Sequence, residues 1–336
     1  MAGKIKHYVK SALRQAKADP LFTAIYIAGV TLAIATTLTM AIIYNIKLSP
    51  IYPEVNRGNT YFITQLIGEN GEAYPRYGQM SYTFAKELRD IEGVNAVGVN
   101  GGLGESTITF GEGKPNVKMS SRSVDDGFFK IYEFKFLDGF PFSEEDITGQ
   151  VKDVIITDEA AKKLFGTTEE IVGKIIPINY SEYRVKGVVE SGSRFGNQSY
   201  SQLYFPARVA EKEESGTVAD RLFGWYVTEI LIEDGSIDSV NEQIINTLRK
   251  QADGSGWTFR LQSSRPVSYM QQMLKPYMEN FSWWEIIKEK LLLVMVILIV
   301  PAVNLSGLIS GRMDSRVAEV GLRKAFGAND RDVINM

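Results

Sequence analysis

The chain has 336 residues, with 37 Lys and Arg against 40 Asp and Glu and a formal net charge of −3. So even a balance offers no basic stripe for nucleic acid, and the absence of cysteine excludes disulfides, thiolate metal sites and thiol catalysis. The lone histidine, His7, lies near the N-terminus, which excludes a Ser-His-Asp triad, a His-rich metal site and a histidine general base from the remainder.

Residues 4–18 place Ile5, Tyr8, Val9, Ala12, Leu13 and Ala16 on one helical face, with Lys4, Lys6, Lys10, Arg14 and Lys17 elsewhere. This is the pattern of a helix lying in a membrane interface, so residues 1–20 read as an amphipathic leader. Asp19-Pro20 ends it and starts an uncharged apolar run, Leu21 to Tyr44. The run is long enough to cross a bilayer as a helix, over residues 21–45. Ala33-Ile34-Ala35 has the form of a signal cleavage site, but the apolar pattern continues well past it. Gly29, Ala33, Thr37 and Ala41 recur at four-residue intervals, a small-residue stripe that lets another helix approach closely.

A mixed-polarity middle follows, over 46–285, long enough for one large domain or two small ones. Alternation and β-branched content predict strands at 60–66, 106–110, 151–157, 183–189 and 225–232. Helical periodicity marks Ser81–Ile91, Asp158–Phe165 (with Thr157 as N-cap and Gly166 as stop) and Ile237–Lys250. Pro266 to Met278 also reads as helical, leading toward the second apolar run. The middle is therefore a mixed α+β domain. The glycine-rich stretch at 101–106 reads as a turn between strands. The acidic clusters Asp125-Asp126 and Glu144-Glu145-Asp146 read as helix caps or solvated faces rather than a cation site.

A second uncharged apolar run, Leu291 to Ser310, places a transmembrane helix over 286–311. Asn304 is costly in hydrocarbon and should face a partner helix alongside Gly307, and Pro301 should bend the span. Trp283-Trp284, Tyr44 and Tyr52 fit an outer aromatic belt. Lys and Arg cluster before the first run and, as Arg312, Arg316, Arg323, Lys324 and Arg331, after the second. By the positive-inside rule both ends are cytoplasmic and the middle is outside, although Lys288 and Lys290 sit at the outer end of the second span. No G-x-x-x-x-G-K-[ST] pattern occurs, so a phosphate-binding loop is excluded.

Beyond the second run, Arg316-Val317-Ala318-Glu319-Val320-Gly321-Leu322-Arg323-Lys324-Ala325-Phe326-Gly327-Ala328 closely resembles the R-x-x-E-[IV]-G-[LI]-R-[KR]-A-[LF]-G-A signature of MacB/FtsX-type ABC transporter permeases. Between Asp125 and Glu190, GFFKIYEFKFLDGFPFSEED, VIITDEAAKKLFG and IVGKIIPINYSEYRVKGVVES look like the MacB-type periplasmic core domain. The resemblance implies an integral membrane protein, with two transmembrane helices flanking a large extracytoplasmic α+β domain and a cytoplasmic coupling segment at 312–336. The family has four spans, so its third and fourth helices are expected to be absent here.

The resemblance also implies a coupling helix that docks on a separate ATP-binding subunit. Val317, Val320 and Phe326 would supply apolar contacts, and Arg316, Glu319, Arg323 and Lys324 the charges. Gly321 and Gly327 would allow close approach or end the helix. The chain is then expected to be a non-catalytic permease subunit without cofactor, dimeric with a second permease chain of the same or a different sequence. It would sit in the cytoplasmic (inner) membrane against lipid, contacting a periplasmic or outer-membrane partner. Its role would be to transmit ATP-driven motion to its outer domain, for export or extraction of a peptide, toxin or lipoprotein, or control of envelope partners. A two-span sensor with an outer ligand-binding domain is the alternative, and it would need a cytoplasmic output module.

Overall fold

The structure is a computed structural model that describes residues 20–72, 74–109, 115–196, 198–211, 216–232 and 236–274, with isolated positions outside these spans. The chain divides into two units, Met1–Tyr44 with Ser282–Met336, and Asn45–Phe281. The expected leader and most of the second apolar run lie outside the described residues.

Helix α1, Pro20–Leu48, covers the first apolar run. Among the described residues it supplies the one helix, Thr23–Leu48, long and apolar enough to cross a membrane. The Thr36, Thr37 and Thr39 hydroxyls donate to the carbonyls of Leu32, Ala33 and Ala35, at 2.7, 2.8 and 2.8 Å. These three hydroxyls are thus satisfied within the helix.

The larger unit opens with β1 (Thr60–Ile63) and β2 (Leu66–Glu69). The run expected as one strand breaks at Thr64-Gln65 because β1 and β2 belong to different sheets. After β3 (Arg76–Met80), the Ser81 hydroxyl accepts from the Phe84 N–H and starts α2 (Tyr82–Glu87), which tightens into a 3-10 turn over Leu88–Asp90. β4 (Ala96–Asn100), β5 (Gly104–Ile108) and β6 (Val117–Val124) follow, with residues 101–103 turning between the first two. Asp125 caps α3 (Asp126–Ile131); β7 (Phe136–Gly139) comes next, and Ser143 with Asp146 forms a capping box on α4 (Glu144–Thr148). Both acidic clusters therefore sit at helix starts, favoured there by the unpaired N–H groups and the helix dipole.

β8 (Asp153–Thr157) leads into α5 (Asp158–Phe165), which Thr157 caps and Gly166 ends at a left-handed φ of 76°. β9 (Ile175–Ile178), β10 (Ser181–Val189), β11 (Leu203–Pro206), α6 (Val218–Leu222), β12 (Phe223–Gly224) and β13 (Val227–Leu231) come next. The unit continues with α7 (Ile237–Ala252), β14 (Thr258–Leu261), β15 (Val267–Ser268) and α8 (Tyr269–Leu274). The segment expected to be helical from Pro266 is thus a strand first, because residues 267–268 pair with β1.

The large sheet runs β11-β8-β10-β9-β5-β6-β4-β13-β1-β15, with β7 on β10. β11 also pairs in parallel with β6, so the six strands from β11 to β6 close into a ring. Ile108, Met119, Val154, Ile156, Ile176, Ile178, Val185 and Leu203 form one buried cluster from these strands and their neighbours. A second sheet, β12-β3-β2-β14, shares a core with α2 and α7, whose Val240, Ile244 and Leu248 repeat every four residues. An aromatic cluster that includes Phe128, Phe129, Phe134, Phe142 and Tyr204 is the third large core. Helix α3 lies directly on β4 because Gly127 has no side chain; a Cβ there would fall 1.8 Å from the Val97 carbonyl oxygen.

Candidate functional site

A dense polar construction in the larger unit lies where the chain leaves α1. Glu54 is completely buried and Arg57 is 3% exposed. Burying charge is costly unless it is paired and hydrogen-bonded, and here both oxygens of Glu54 are engaged. Glu54 Oε1 accepts from the Gln198 N–H (3.1 Å), the Ser199 N–H (2.8 Å) and the Ser199 hydroxyl (2.7 Å). Its Oε2 accepts from Arg57 Nε (2.9 Å) and from the Tyr269 hydroxyl, and Arg57 Nη2 lies 2.8 Å away.

Arg57 also holds the end of α1. Its Nη1 donates to the carbonyls of Ile46 (2.9 Å), Lys47 (3.2 Å) and Ser49. Carbonyls of a last helical turn lack intrahelical partners, and a cation there also meets the negative end of the dipole. The guanidinium carbon lies 4.6 Å from the Tyr269 ring centroid, and that ring packs edge-on against Phe62 at 6.0 Å. One node therefore ties together the last turn of α1, the 198–199 loop and the first residue of α8, the segment heading toward the second apolar run. Burial holds the Tyr269 hydroxyl well above its ordinary pKa, reinforced by the Glu54 charge, so it stays a donor.

A second polar layer adjoins the first through Gln198. Asn100 Nδ2 donates to the Gln198 carbonyl (3.0 Å) and to Glu229 Oε1 (2.8 Å), and Asn100 Oδ1 accepts from Arg122 Nη1 at 2.5 Å. Burial pushes Glu229 up to about 8, against the opposing pull of the Asn100 hydrogen bond and the Arg122 charge. At the α3 cap, burial raises Asp125 to about 6, while Arg89 (2.8 Å) and the N–H groups of Val99 and Phe128 pull it back. Among the described residues no group of three or more His, Asp or Glu is placed to hold a metal ion. The node is suited to fixing segments relative to one another.

Of the residues singled out from sequence on α1, Gly29 and Ala33 are half-buried, while Thr37 is exposed. Asn304 and Gly307 lie outside the described residues, as do Arg316, Glu319, Val320 and Arg323. Gly321, Lys324, Phe326 and Gly327 are described and exposed. The Phe326 N–H donates to the Leu322 carbonyl (3.1 Å) and the Gly327 N–H to the Lys324 carbonyl (3.0 Å), and Gly327 has a φ of 89°, a helical turn with a left-handed glycine end. Tyr52, expected at an outer aromatic belt, makes contacts within the larger unit. Its hydroxyl accepts from the Lys135 N–H (2.9 Å) and donates to the Glu190 carbonyl (3.4 Å), and its ring meets Phe134 edge-on at 6.4 Å. Trp284 is exposed, and Trp283 is outside the described residues.

Sequence reasoning missed Glu54, Arg57 and Tyr269. The available signal was an acid and an arginine three apart immediately after the first apolar run. Nothing local marks Tyr269, which joins them across a separation of 215 residues.

Residues 23–247 match the family model of the MacB-like periplasmic core domain. The chain is 24% identical over 342 residues to macrolide export ATP-binding/permease protein MacB 1 of Yersinia pestis, covering 99% of this chain and 49% of that one. It is 29% identical over 224 residues to MacB of Chromobacterium violaceum, covering 65% and 32%. The chain spans about half the length of the Yersinia relative. Among solved structures, the periplasmic region of MacB from Actinobacillus actinomycetemcomitans aligns at a TM-score of 0.42 and 16% identity, over 68% of this chain and 96% of that one. The extracellular domain of the transporter YknZ from Gram-positive bacteria aligns at 0.41 and 18%, over 60% and 99%. With the family model matching more than half of its length, this chain belongs to the MacB-like periplasmic core domain family of ABC transporter permeases.

Proposed function

We propose that the chain is a permease subunit that works by mechanotransmission. ATP binding and hydrolysis occur on a separate subunit in the cytoplasm, the arrangement that the permease-like signature at 316–328 implies. The signature segment from Arg316 to Gly327 docks on that subunit and moves with it. The two spans carry the motion, and the domain over 45–281 performs work outside the membrane on a peptide, toxin, lipoprotein or envelope partner. Two permease chains act together.

The observation that carries this reading is the signature segment and its exposure. Val317, Leu322 and Phe326 are 63%, 62% and 85% exposed, an apolar set available to a partner. The Glu54–Arg57–Tyr269 node supports it, because it joins the residues that follow α1 to those that lead toward the second apolar run. The test is co-purification with the ATP-binding subunit and assay of stimulated ATPase activity. Glu319→Lys and Arg323→Glu are expected to abolish both. If complex formation and stimulation survive the two reversals, the reading is wrong.

A further inference from the structure

A cavity of about 470 Å³ opens beside β3, within the range of ligand pockets of roughly 300–1,000 Å³. It does not involve the node, and a ligand bound there would be independent of the coupling reading. Its lining includes Arg76, Tyr77, Gln79, Phe223 and Trp225. We propose that it binds an organic anion with a flat apolar body, such as an aromatic carboxylate. Arg76 takes the anionic group, and Trp225 and Tyr77 cover the body.

The floor is a fixed aromatic platform. Gly78 lets the Phe223 ring lie on β3, since a Cβ there would fall 2.5 Å from that ring. Phe223 packs edge-on against Phe259 at 5.7 Å, and Phe259 stacks on Trp257 at 5.6 Å. The Arg76 guanidinium lies over this platform, 4.8 Å from the Phe223 centroid. Its nearest acid, Asp220, is 3.9 Å away, beyond hydrogen-bond reach, and Arg76 donates no hydrogen bond among the described residues. A stacked guanidinium with open donors presents a planar fork suited to a carboxylate or phosphate. The other acid at the cavity does not compete, because Glu213 accepts from the Thr83 N–H (3.1 Å), the Thr83 hydroxyl (2.9 Å) and the Ala210 N–H (3.3 Å). Trp225 and Tyr77 are 79% and 55% exposed, so most of their aromatic surface is left for a ligand.

The test uses the full chain labelled with 5-fluorotryptophan, with the Trp225 fluorine resonance assigned from Trp225→Phe. The probes are N-acetyl-phenylalanine as its carboxylate and the same molecule as its amide. The carboxylate is expected to shift the Trp225 signal saturably, with the amide about tenfold or more weaker. Arg76→Gln should remove that preference, and Arg76→Lys should restore only part of it, because an ammonium lacks the fork. Arg76 is half exposed, so both variants should melt like the parent. A carboxylate that gives no saturable shift at millimolar concentration, or binds no better than the amide, overturns the proposal.

Discussion

Glu54→Gln keeps the size of the side chain and removes its charge. Each carboxylate oxygen of Glu54 faces donors only, Gln198 and Ser199 on one side and Arg57 and Tyr269 on the other. A glutamine amide must turn its NH2 group toward one of those sets, placing donor against donor. It also leaves Arg57 buried without a counter-charge. Breaking a buried pair from one side costs about 3–5 kcal/mol. For a domain of this size 1 kcal/mol corresponds to about 2–4 °C, so the melting temperature should fall by about 6–20 °C. Purified chain in detergent, heated while Trp257 fluorescence and near-ultraviolet dichroism are followed, measures the shift. The outer-domain transition is the one to read, and Trp257, within that domain, reports it. The double variant Glu54→Gln, Arg57→Met should cost clearly less than the sum of the two single changes, since the two residues share one contact network. A single-variant loss below about 1 kcal/mol, or strict additivity, would refute the description of the node as a charged, mutually dependent pair.

Glu229→Gln should act in the opposite direction. Burial raises the folded-state pKa of Glu229 from 4.5 to about 8, so its contribution to stability is full below about pH 4 and is lost as the pH rises toward 8. By pH 7 the loss is about 3 kcal/mol, and the variant should therefore gain on the parent steadily between pH 5 and 8 in urea titrations. A stability difference that is flat in pH would show the carboxyl to be ordinary. Gly127→Ala drives a methyl group against the Val97 carbonyl, and the domain should lose about 3 kcal/mol or fail to accumulate folded, read as loss of the thermal transition. Tyr269→Phe keeps the ring beneath Arg57 and removes only the hydroxyl to Glu54, for about 1.5–3 kcal/mol. On the proposed function it should also reduce transport per ATP hydrolysed in the reconstituted complex, and an unchanged ratio would remove the node from the coupling path.

What was legible in the sequence was local. Thr157 and Gly166 bound α5 where cap chemistry places them, because N-cap and left-handed stop geometries need only neighbouring residues. The buried face of α7 repeats Val240, Ile244 and Leu248, and periodicity reports that directly. The breaks came where distant pairing decides the conformation. Residues 60–66 alternate like one strand but serve two sheets, and Val267-Ser268 follows a proline in a helix-like stretch yet pairs with β1. Short strands such as β3 and β12 lack a sustained apolar alternation of their own and exist through the register their partners impose. The node was invisible for the same reason. Glu54 and Arg57 look like ordinary surface charges until Ser199 and Tyr269 are brought over them.

The ionic character of that node needs a physical reason, because buried ion pairs are often no more stabilising than apolar residues of equal volume. The neighbouring apolar contacts, Phe62 with Val267 and Tyr269, already bury the site. Apolar packing is non-directional, however, so it resists separation better than it resists sliding. The Glu54 and Arg57 bonds are directional. They fix the carbonyl ends of Ile46, Lys47 and Ser49, the 198–199 backbone and the Tyr269 hydroxyl to one carboxylate and one guanidinium. A displacement of any of these groups by more than about 0.5 Å stretches several charge-assisted hydrogen bonds at once, each worth about 1.5–3 kcal/mol. The cheaper response is for the three segments to move as one piece. On the proposed function that stiffness is what the domain requires where its first and last segments meet. Substituting the pair with apolar residues would then leave the fold standing while loosening the connection.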